Sequence, residues 1–233
     1  MMKDMSAIKL RVLHVDDISP AAKLLSMAML DNPIHVAVYG AAGATERLAL
    51  ERRFRVTLEN RPGEAIVATL HGEIVGICRW YFCQGGWDIA EDIQRLIDSN
   101  PGELSTIEQR DHFWRGVWAS HDPLEAHSHL GPIAVRSDYQ GRGIGKVMMD
   151  HYCRILDESG QASYLEADRE KNVRFYQRFG FETLQEVKIL NVINTLMWRK
   201  IQSGLGNSHG SQERTALTST SRVARRSPAL GRR

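Results

Sequence analysis

The chain has 233 residues, 42% hydrophobic and 25% charged, which is enough for one well-buried core and leaves no second region rich enough for another. Its formal charge of +2 comes mostly from the last thirty residues, so we expect no nucleic-acid partner for the folded part. The early apolar stretch AAKLLSMAML is too short to cross a bilayer and lacks a basic lead-in, so we expect a soluble, cytoplasmic monomer or homodimer with no membrane contact.

The first third of the chain alternates between strand and helix patterns. Residues 8–15, IKLRVLHV, alternate apolar and polar side chains as a half-buried strand does. Ser19 offers an N-cap and Pro20 a first helical position for the helix that follows, and a second helical pattern covers residues 44–58. Residues 64–82 predict two strands joined by a tight turn at Gly72.

Residues 83–126 predict a structured insertion. They contain a helical pattern near 89–97 and an NPG break at 100–102. A segment this long between strands is usually functional or disordered, and its aromatic content argues against disorder. Its aromatic residues could wall a pocket for a flat amine or form a small core of their own; they are Trp87, Phe113, Trp114 and Trp118.

The regular patterns return with HSHLGPIAV at residues 127–135, a strand interrupted by Gly131 and Pro132. Simple alternation places His127, His129, Gly131, Ile133 and Val135 on one face, although a bulge would shift that pattern. The interruption therefore marks a place where neighbouring strands can separate.

The clearest helix of the chain begins near Ile144 and ends at Gly160, with apolar residues recurring every three or four positions. After it we expect a strand in ASYLEA, a short helix over residues 169–179 with Asp168 as its N-cap, and a closing hairpin around Asn191. We place the domain at residues 1–202. Residues 203–233 are rich in Ser, Gly, Thr and Arg and are expected to form a disordered basic tail.

The loop before the long helix, RSDYQGRGIGKVMMD at residues 136–150, is predicted to bind an anion. Glycines let backbone N–H groups approach a ligand, and a helix start adds unpaired donors and partial positive charge. A Rossmann fingerprint would need a small residue at Lys146, and a P-loop would need Ser or Thr at Val147. The remaining pattern is Q-x-x-G-x-G, formed by Gln140, Gly143 and Gly145.

This pattern, between a strand and a long amphipathic helix, resembles the acyl-CoA signature of the GNAT superfamily of N-acetyltransferases. The resemblance covers about residues 8–200 and departs from the common core at 83–126. It implies an α/β (α+β) fold: a mixed, mostly antiparallel twisted sheet of about six to seven strands with splayed central parallel strands and helices on both faces. It also implies acetyl-CoA as acyl donor, an amine acceptor and no metal.

The resemblance further implies which residues bind the cofactor. The glycine loop would hold the CoA pyrophosphate through backbone amides, with Arg142 as a charged partner for a phosphate. The pantetheine arm would pair with the main chain after the Gly131 and Pro132 interruption. The implied cofactor-binding residues are Ile133, Ala134, Val135, Gln140, Gly141, Arg142, Gly143, Ile144, Gly145, Asn172 and Tyr176.

Asn172 and Tyr176 are four positions apart and so share one face of the short helix. Thioester cleavage needs a proton for the departing thiolate, and a phenol with a pKa of about 10 can supply it to a thiolate whose thiol has a pKa of about 8.5. In the family that the chain resembles, the tyrosine that corresponds to Tyr176 is the general acid, and the asparagine that corresponds to Asn172 binds the cofactor. By itself, Tyr176 would be interpreted as a half-buried aromatic beside Phe175.

The base that removes the ammonium proton has three candidates. His129 stands about where histone-acetylating members of the family carry a glutamate, and it could act directly or through water. Glu166 lies on the partner strand in YLEAD. Deprotonation through a chain of water molecules is the third candidate.

Metal ligation is not expected from the sequence. The three cysteines have no C-x-x-C spacing and lie in apolar runs, which is typical of reduced, buried thiols. His127 and His129 could act as a pair of ligands with His121 or Asp122 as the third, but no partner stands at a fixed spacing.

The acceptor is a separate question. The stretch LEADREKNVRFYQRFGF resembles the branch of the family that acylates small amines, including puromycin-type antibiotic acetyltransferases. We therefore expect transfer of an acetyl group to a primary amine of a small molecule. The alternatives are a peptide, protein or polyamine acceptor, or a non-catalytic acyl-CoA-binding regulatory module.

Overall fold

The computed structural model describes residues 8–40, 42–60 and 63–202, which form seven strands and seven helices. The strands are β1 (Lys9–Val12), β2 (Glu64–Leu70), β3 (Glu73–Cys83), β4 (His127–Val135), β5 (Ser163–Ala167), β6 (Glu182–Ile189) and β7 (Val192–Arg199). The helices are α1 (Ile18–Ala28), α2 (Pro33–Tyr39), α3 (Ala44–Asn60), α4 (Glu91–Ile97), α5 (Ile107–Ser120), α6 (Ile144–Ser159) and α7 (Glu170–Gln177). The predicted tail at 203–233 lies outside the described residues.

All seven strands form one sheet in the order β1-β2-β3-β4-β5-β7-β6. Every neighbouring pair is antiparallel except β4 and β5, which are parallel. This central pair is in register only at Ser128 with Ser163 and at His129 with Tyr164, and the strands part beyond these positions. The predicted fold class, including the splayed parallel pair, is confirmed.

Helices cover both faces of the sheet, as predicted. On one face α1 and α3 pack on Val67, Ile77 and Ala134. On the other face the amphipathic α6 buries residues such as Met148 and Tyr152 against β2, β3 and β5, and α7 joins the same core. The two faces are therefore closed by different parts of the chain, the first third and the second half.

The hairpins fall where the sequence predicts them. The β2–β3 turn is made by His71 and Gly72, both with positive φ, and the β6–β7 turn by Leu190 and Asn191, also with positive φ. Two successive positive φ angles define the type I′ turn, whose twist matches that of the flanking strands.

The insertion forms its own small core. Phe113 and Trp114 on α5 are buried with Ile34 and Val38 of α2, and Trp118 donates a hydrogen bond from Nε1 to Oδ1 of Asn194 at 3.2 Å. Of the two interpretations that the sequence left open, the structure supports the core for Phe113, Trp114 and Trp118, whereas Trp87 is not part of it. The helices α2 and α5 were not predicted, although Asn32 before Pro33 and the T-x-x-Q capping box at 106–109 are start signals for them.

Two predicted helix caps are wrong. Helix α1 begins at Ile18, ahead of Ser19, because a short 3-10 turn capped by His14 leads directly into it. Helix α7 has no side-chain cap, and the carboxylate of Asp168 instead accepts hydrogen bonds from the backbone N–H of Ile34 and from Asn32 Nδ2. Asp168 thus ties the end of β5 to the loop before α2.

Candidate active site

A cleft of about 540 Å³ opens where β4 separates from β5, bounded by the end of β4, the glycine loop, the first turn of α6 and one face of α7. Ala28, Met29 and Asn32 complete the wall from the end of α1. Ten of the eleven residues predicted to bind the cofactor line it: Ile133, Ala134, Val135, Gln140, Gly141, Gly143, Ile144, Gly145, Asn172 and Tyr176.

The glycine loop owes its shape to two left-handed residues. Gly141 and Gly143 have φ of +73° and +85°, a conformation that costs little only for glycine, and a Cβ on either would meet no atom within 4 Å. Gly143 is the N-cap of α6 and provides no side-chain cap. The first backbone N–H groups of α6 therefore lack an intrahelical acceptor and face a wall of the cleft, where an anion can accept from them.

Side chains brace this loop from both sides. Gln140 Nε2 donates to the carbonyl of Val135 at 3.0 Å, which ties the loop to the last residue of β4. Gly145 lies against α7, and a Cβ there would be 3.3 Å from Cζ of Phe175. Gly141 and Gly143 thus allow the left-handed backbone of the loop, and Gly145 allows α6 to pack closely on α7.

The positive charge in the cleft comes from residues that the sequence analysis did not single out. Arg142 is not among the lining residues, since its guanidinium lies over the ring of Tyr139 at 5.1 Å, and its role toward a phosphate stays a prediction. Four other cations line the cleft: Lys146, Arg169, Lys171 and Arg178. Lys171 and Arg178 are seven positions apart, a helical spacing that could have indicated them.

Helix α7 presents Asn172, Phe175 and Tyr176 to the cleft. The Tyr176 side chain is otherwise enclosed, with 9% of the residue exposed, and packs beside Phe175 and Phe181. Burial is the main reason that the pKa of Tyr176 is raised above its ordinary value. The phenol therefore keeps its proton at neutral pH and can donate it.

The bulge in β4 reverses the alternation of its side chains. Before it, Ser128 Oγ accepts a hydrogen bond from Tyr152 of α6, so His127 and His129 point to the opposite face. After it, Ile133 and Val135 pack against the core that contains α6. The prediction that all these residues share a face is therefore wrong, because the pairing with β3 shifts register between Cys78 and Trp80.

His127 and His129 belong to a buried group of titratable side chains, here called the polar cluster: Tyr81, Cys83, Asp122, His127, His129, Tyr164 and Glu166. His129 Nε2 is 3.0 Å from Glu166 Oε2, and Nδ1 is 3.8 Å from Asp122 Oδ1. The ring stacks on Tyr81 with centroids 4.9 Å apart. His129 is thus held between two carboxylates.

These surroundings favour the charged form of His129. Burial alone would lower its pKa, but the charge of Glu166 and the contacts with both carboxylates outweigh it and raise the pKa to about 9. Burial likewise acts to raise the pKa of Asp122, yet its contacts with His127 and His129 lower it to about 2. Of the two further metal ligands considered from the sequence, Asp122 lies in the cluster, whereas His121 Nδ1 is 2.8 Å from the carbonyl of Val117.

Comparison with known proteins places the chain in a family. The profile of the acetyltransferase (GNAT) family matches residues 36–181. The chain therefore belongs to the GNAT acetyltransferase family. This family uses acetyl-CoA as its acyl donor.

Individual relatives are distant. A mycothiol acetyltransferase of Corynebacterium aurimucosum is 28% identical over 123 residues, which cover 46% of this chain and 40% of that protein. An acetyltransferase of Corynebacterium glutamicum, described as histone acetyltransferase HPA2 and related, superposes with a TM-score of 0.64 at 20% identity, covering 86% of this chain and 99% of that one. The mosquito arylalkylamine N-acetyltransferase like 5b gives a TM-score of 0.58 at 15% identity, covering 82% and 98%. The structural likenesses establish the fold.

None of the helices in the described ranges has the length and apolarity needed to span a lipid bilayer.

Proposed function

We propose that the chain transfers an acetyl group from acetyl-CoA to a primary amine of a small molecule, with direct attack of the amine on the thioester. The observation that carries the proposal is the single cleft in which the end of β4, the glycine loop and Asn172 with Tyr176 on α7 meet. The α7 residues are separated from the other two segments by α6 and β5, and each segment supplies a different part of what an acyl-CoA needs.

The cleft suits the two chemically distinct parts of CoA. The backbone N–H groups of Gly143, Ile144 and Gly145 would bind the pyrophosphate. Of the four lining cations, Lys146 and Arg169 already pair with carboxylates, so Lys171 and Arg178 would contribute most to balancing its charge. The main chain of 133–135 pairs with β3 on one side only, because β5 has already separated from β4. Its other edge can pair with the amide groups of the pantetheine arm, as an added strand would.

Tyr176 is the proposed general acid. Attack of the amine on the thioester carbonyl forms a tetrahedral intermediate, and the C–S bond then breaks with its electron pair on sulfur. The Tyr176 hydroxyl gives its proton to this thiolate. The proton that the amine nitrogen loses passes to solvent, and solvent returns a proton to the Tyr176 phenolate. A phenol is protonated at neutral pH, so Tyr176 starts the step in the required form, and its raised pKa makes it a weaker donor than an exposed tyrosine.

His129, in its neutral form, is the proposed acceptor of the ammonium proton; because its pKa is raised to about 9, kcat should rise with pH toward that value. It is the last residue of β4 that pairs with β5, so it stands at the point where the strands part, on the face opposite α6 and α7. Tyr176 lies in the core of the other face. An amine arriving from the His129 side and an acid acting on sulfur from the Tyr176 side would approach the thioester from opposite faces of the sheet.

Two variants separate His129 from its alternatives. Replacing His129 with Gln keeps a hydrogen-bond donor for Glu166 but removes the proton acceptor, so we expect kcat to fall at least about 100-fold, the lower edge of what general bases contribute. Glu166→Gln is the matched comparison. A loss only in Glu166→Gln assigns the base to Glu166, and unchanged kcat in both, with CoA affinity intact, assigns it to a water chain.

The acceptor class is supported by the names of two relatives, a mycothiol acetyltransferase and an arylalkylamine N-acetyltransferase, both of which refer to small molecules. The chain matches only 40% of the length of the first, so its activity as a whole is not transferred to this chain. The puromycin-type branch stays a prediction.

The test is release of free thiol from acetyl-CoA by purified protein, measured across amines, amino acids, polyamines, aminoglycosides and peptides. We expect turnover with one of the small amines and none with peptides. Turnover with peptides or polyamines alone would replace the acceptor class. If the protein binds CoA but releases thiol with no acceptor, it is a binding module and the proposed catalysis is wrong.

A further inference from the structure

A second set of ligand atoms lies away from the cleft, inside the polar cluster. Cys83 ends β3, His127 begins β4, and Asp122 follows α5 in the insertion. Cys83 Sγ is 3.4 Å from Asp122 Oδ2, and His127 Nε2 is 3.5 Å from Asp122 Oδ1. One ligand atom from each of the three residues lies within 4.8 Å of the other two, and all three residues are buried. They are not among the residues that line the cleft.

The protonation of the His127 ring follows from its surroundings. Nδ1 is 2.7 Å from the backbone carbonyl of Glu125, which can only accept, so Nδ1 carries a proton. Nε2 is fully buried, has no hydrogen-bond partner among the described residues, and lies 3.5 Å from Oδ1 of the Asp122 carboxylate. A cation bound by both groups would satisfy them together.

We propose that Cys83, Asp122 and His127 bind one divalent transition-metal ion, of which Zn²⁺ fits best. Tetrahedral Zn²⁺ with bonds of about 2.0 to 2.3 Å places neighbouring ligand atoms about 3.3 to 3.8 Å apart. Cys83 Sγ and His127 Nε2 lie 3.4 and 3.5 Å from the two different oxygens of Asp122, so a small turn of the carboxylate would bring one oxygen to the ion. A thiolate, an imidazole and a carboxylate together favour Zn²⁺ over Mg²⁺ or Ca²⁺, which prefer sets of oxygen ligands.

The charges also balance. Binding breaks the S–H bond of Cys83, forms the S–metal bond and releases the proton to solvent, without any oxidation or reduction. The thiolate and the carboxylate then offset the two charges of the ion. His129 is not one of the three ligands and pairs through Nε2 with Glu166; the fourth coordination position is left for water or for Nδ1 of His129, which is 3.8 Å from Asp122 Oδ1.

The site would fasten the insertion to the sheet. Its three ligands come from the last residue of β3, the segment after α5 and the first residue of β4, which are the two ends of the excursion between these strands. The hydrogen bond from His127 Nδ1 to a backbone carbonyl is the usual outer partner of a metal-binding histidine and fixes the orientation of its ring. The role is therefore structural. The site borders the proposed base, because Asp122 Oδ1 is also 3.8 Å from Nδ1 of His129.

The test uses the full chain without a histidine tag, stripped with chelator and titrated with Co²⁺ and then with Zn²⁺. We expect one equivalent of Co²⁺ to bind and to produce a thiolate-to-metal charge-transfer absorption that Zn²⁺ abolishes by displacement. Zn²⁺ should also raise the Tm of the wild-type protein. Absence of stoichiometric binding or of the thiolate band in the wild-type protein overturns the proposal.

Variants locate the ion. Cys83→Ser should lose the thiolate band and weaken binding by more than the roughly 10- to 100-fold typical of an outer-shell change. Cys153→Ser, at a buried cysteine on α6 in the opposite core, is the matched control and should keep both. If Cys83→Ser does not fold, His127→Gln tests the site by removing a different ligand. An unchanged band in Cys83→Ser, or its loss in Cys153→Ser, would contradict the assignment.

Discussion

The two ends of strand β4 carry opposite kinds of site. The cleft at its C-terminal end is open and is formed largely by backbone groups, with cations at the wall. The polar cluster at its N-terminal end is buried and is formed by charged side chains that contact one another directly. A backbone site depends on chain conformation and therefore on a few glycines, whereas a side-chain cluster depends on which residues the fold brings together.

The two sites also differ in their relation to the motif of the family. The glycine loop and α7 lie inside the residues matched by the family profile and follow its motif. Asp122 lies inside the same matched range, in the segment that the sequence predicts to be an insertion.

The largest expected effect concerns stability and tests whether the insertion is a core of its own. Trp114→Ala removes a side chain that is 2% exposed and packed on α2, so we expect a loss of about 3 to 5 kcal/mol and a Tm lower by roughly 10 °C. CoA affinity of the folded fraction should not change. If instead the acceptor KM changes while Tm does not, Trp114 walls a pocket and the insertion belongs to the acceptor site.

The next effect tests the backbone nature of the cleft. Gly143→Val places a β-branched residue at a φ of +85° and puts a side chain beside the amides of α6. We expect CoA affinity to fall at least about 100-fold, since loss of two hydrogen bonds to a charged group costs about 3 kcal/mol or more. Isothermal titration with CoA measures it.

Gly160→Val is the control for backbone strain. Gly160 is also left-handed, with a φ of +62°, but it caps the other end of α6 and does not line the cleft. The Gly160→Val variant should be less stable by about 1 to 3 kcal/mol, with no loss of CoA affinity. Equal losses of CoA affinity in both variants would mean that the loop acts through the stability of α6 and not through its amides.

Tyr176→Phe tests whether Tyr176 is the general acid that protonates the departing thiolate. We expect kcat to fall about 100-fold with the CoA Kd unchanged, because only the proton donor is removed. Tyr152→Phe is the matched control: it removes a buried hydroxyl bonded to Ser128 on the same face of the sheet, so it should cost stability and leave kcat alone. Full kcat in Tyr176→Phe would show that solvent protonates the thiolate.

The smallest effect concerns the contact between α6 and α7. Gly145→Ala adds a Cβ 3.3 Å from Phe175, which must give way by a few tenths of an ångström. The strain, about 1 kcal/mol, is offset by the better helix propensity of alanine, so Tm should hardly move. CoA binding should weaken only a few-fold. A loss as large as that of Gly143→Val would show that the width of the cleft matters as much as its amides.

Much of the architecture could be predicted from the sequence because its patterns are local. The period of α6, the type I′ turns at Gly72 and Asn191 and the Gly131 and Pro132 interruption each depend on residues close in the chain. The helix caps at Ser19 and Asp168 were mistaken because an N-cap side chain competes with other partners. The carboxylate of Asp168 accepts hydrogen bonds from Ile34 and Asn32, which are more than a hundred residues away.

For the site, the sequence by itself determined the glycine loop and the pair on α7, since spacing along a loop or a helix fixes which groups can act together. Only the tertiary structure decided the rest. The register shift opposite Pro132 turned His129 to the face away from Ile133. Cys83 and Asp122 are 39 residues apart and meet only because β3, α5 and β4 converge, a contact that no local pattern encodes. Long-range packing, and not spacing, therefore created the polar cluster.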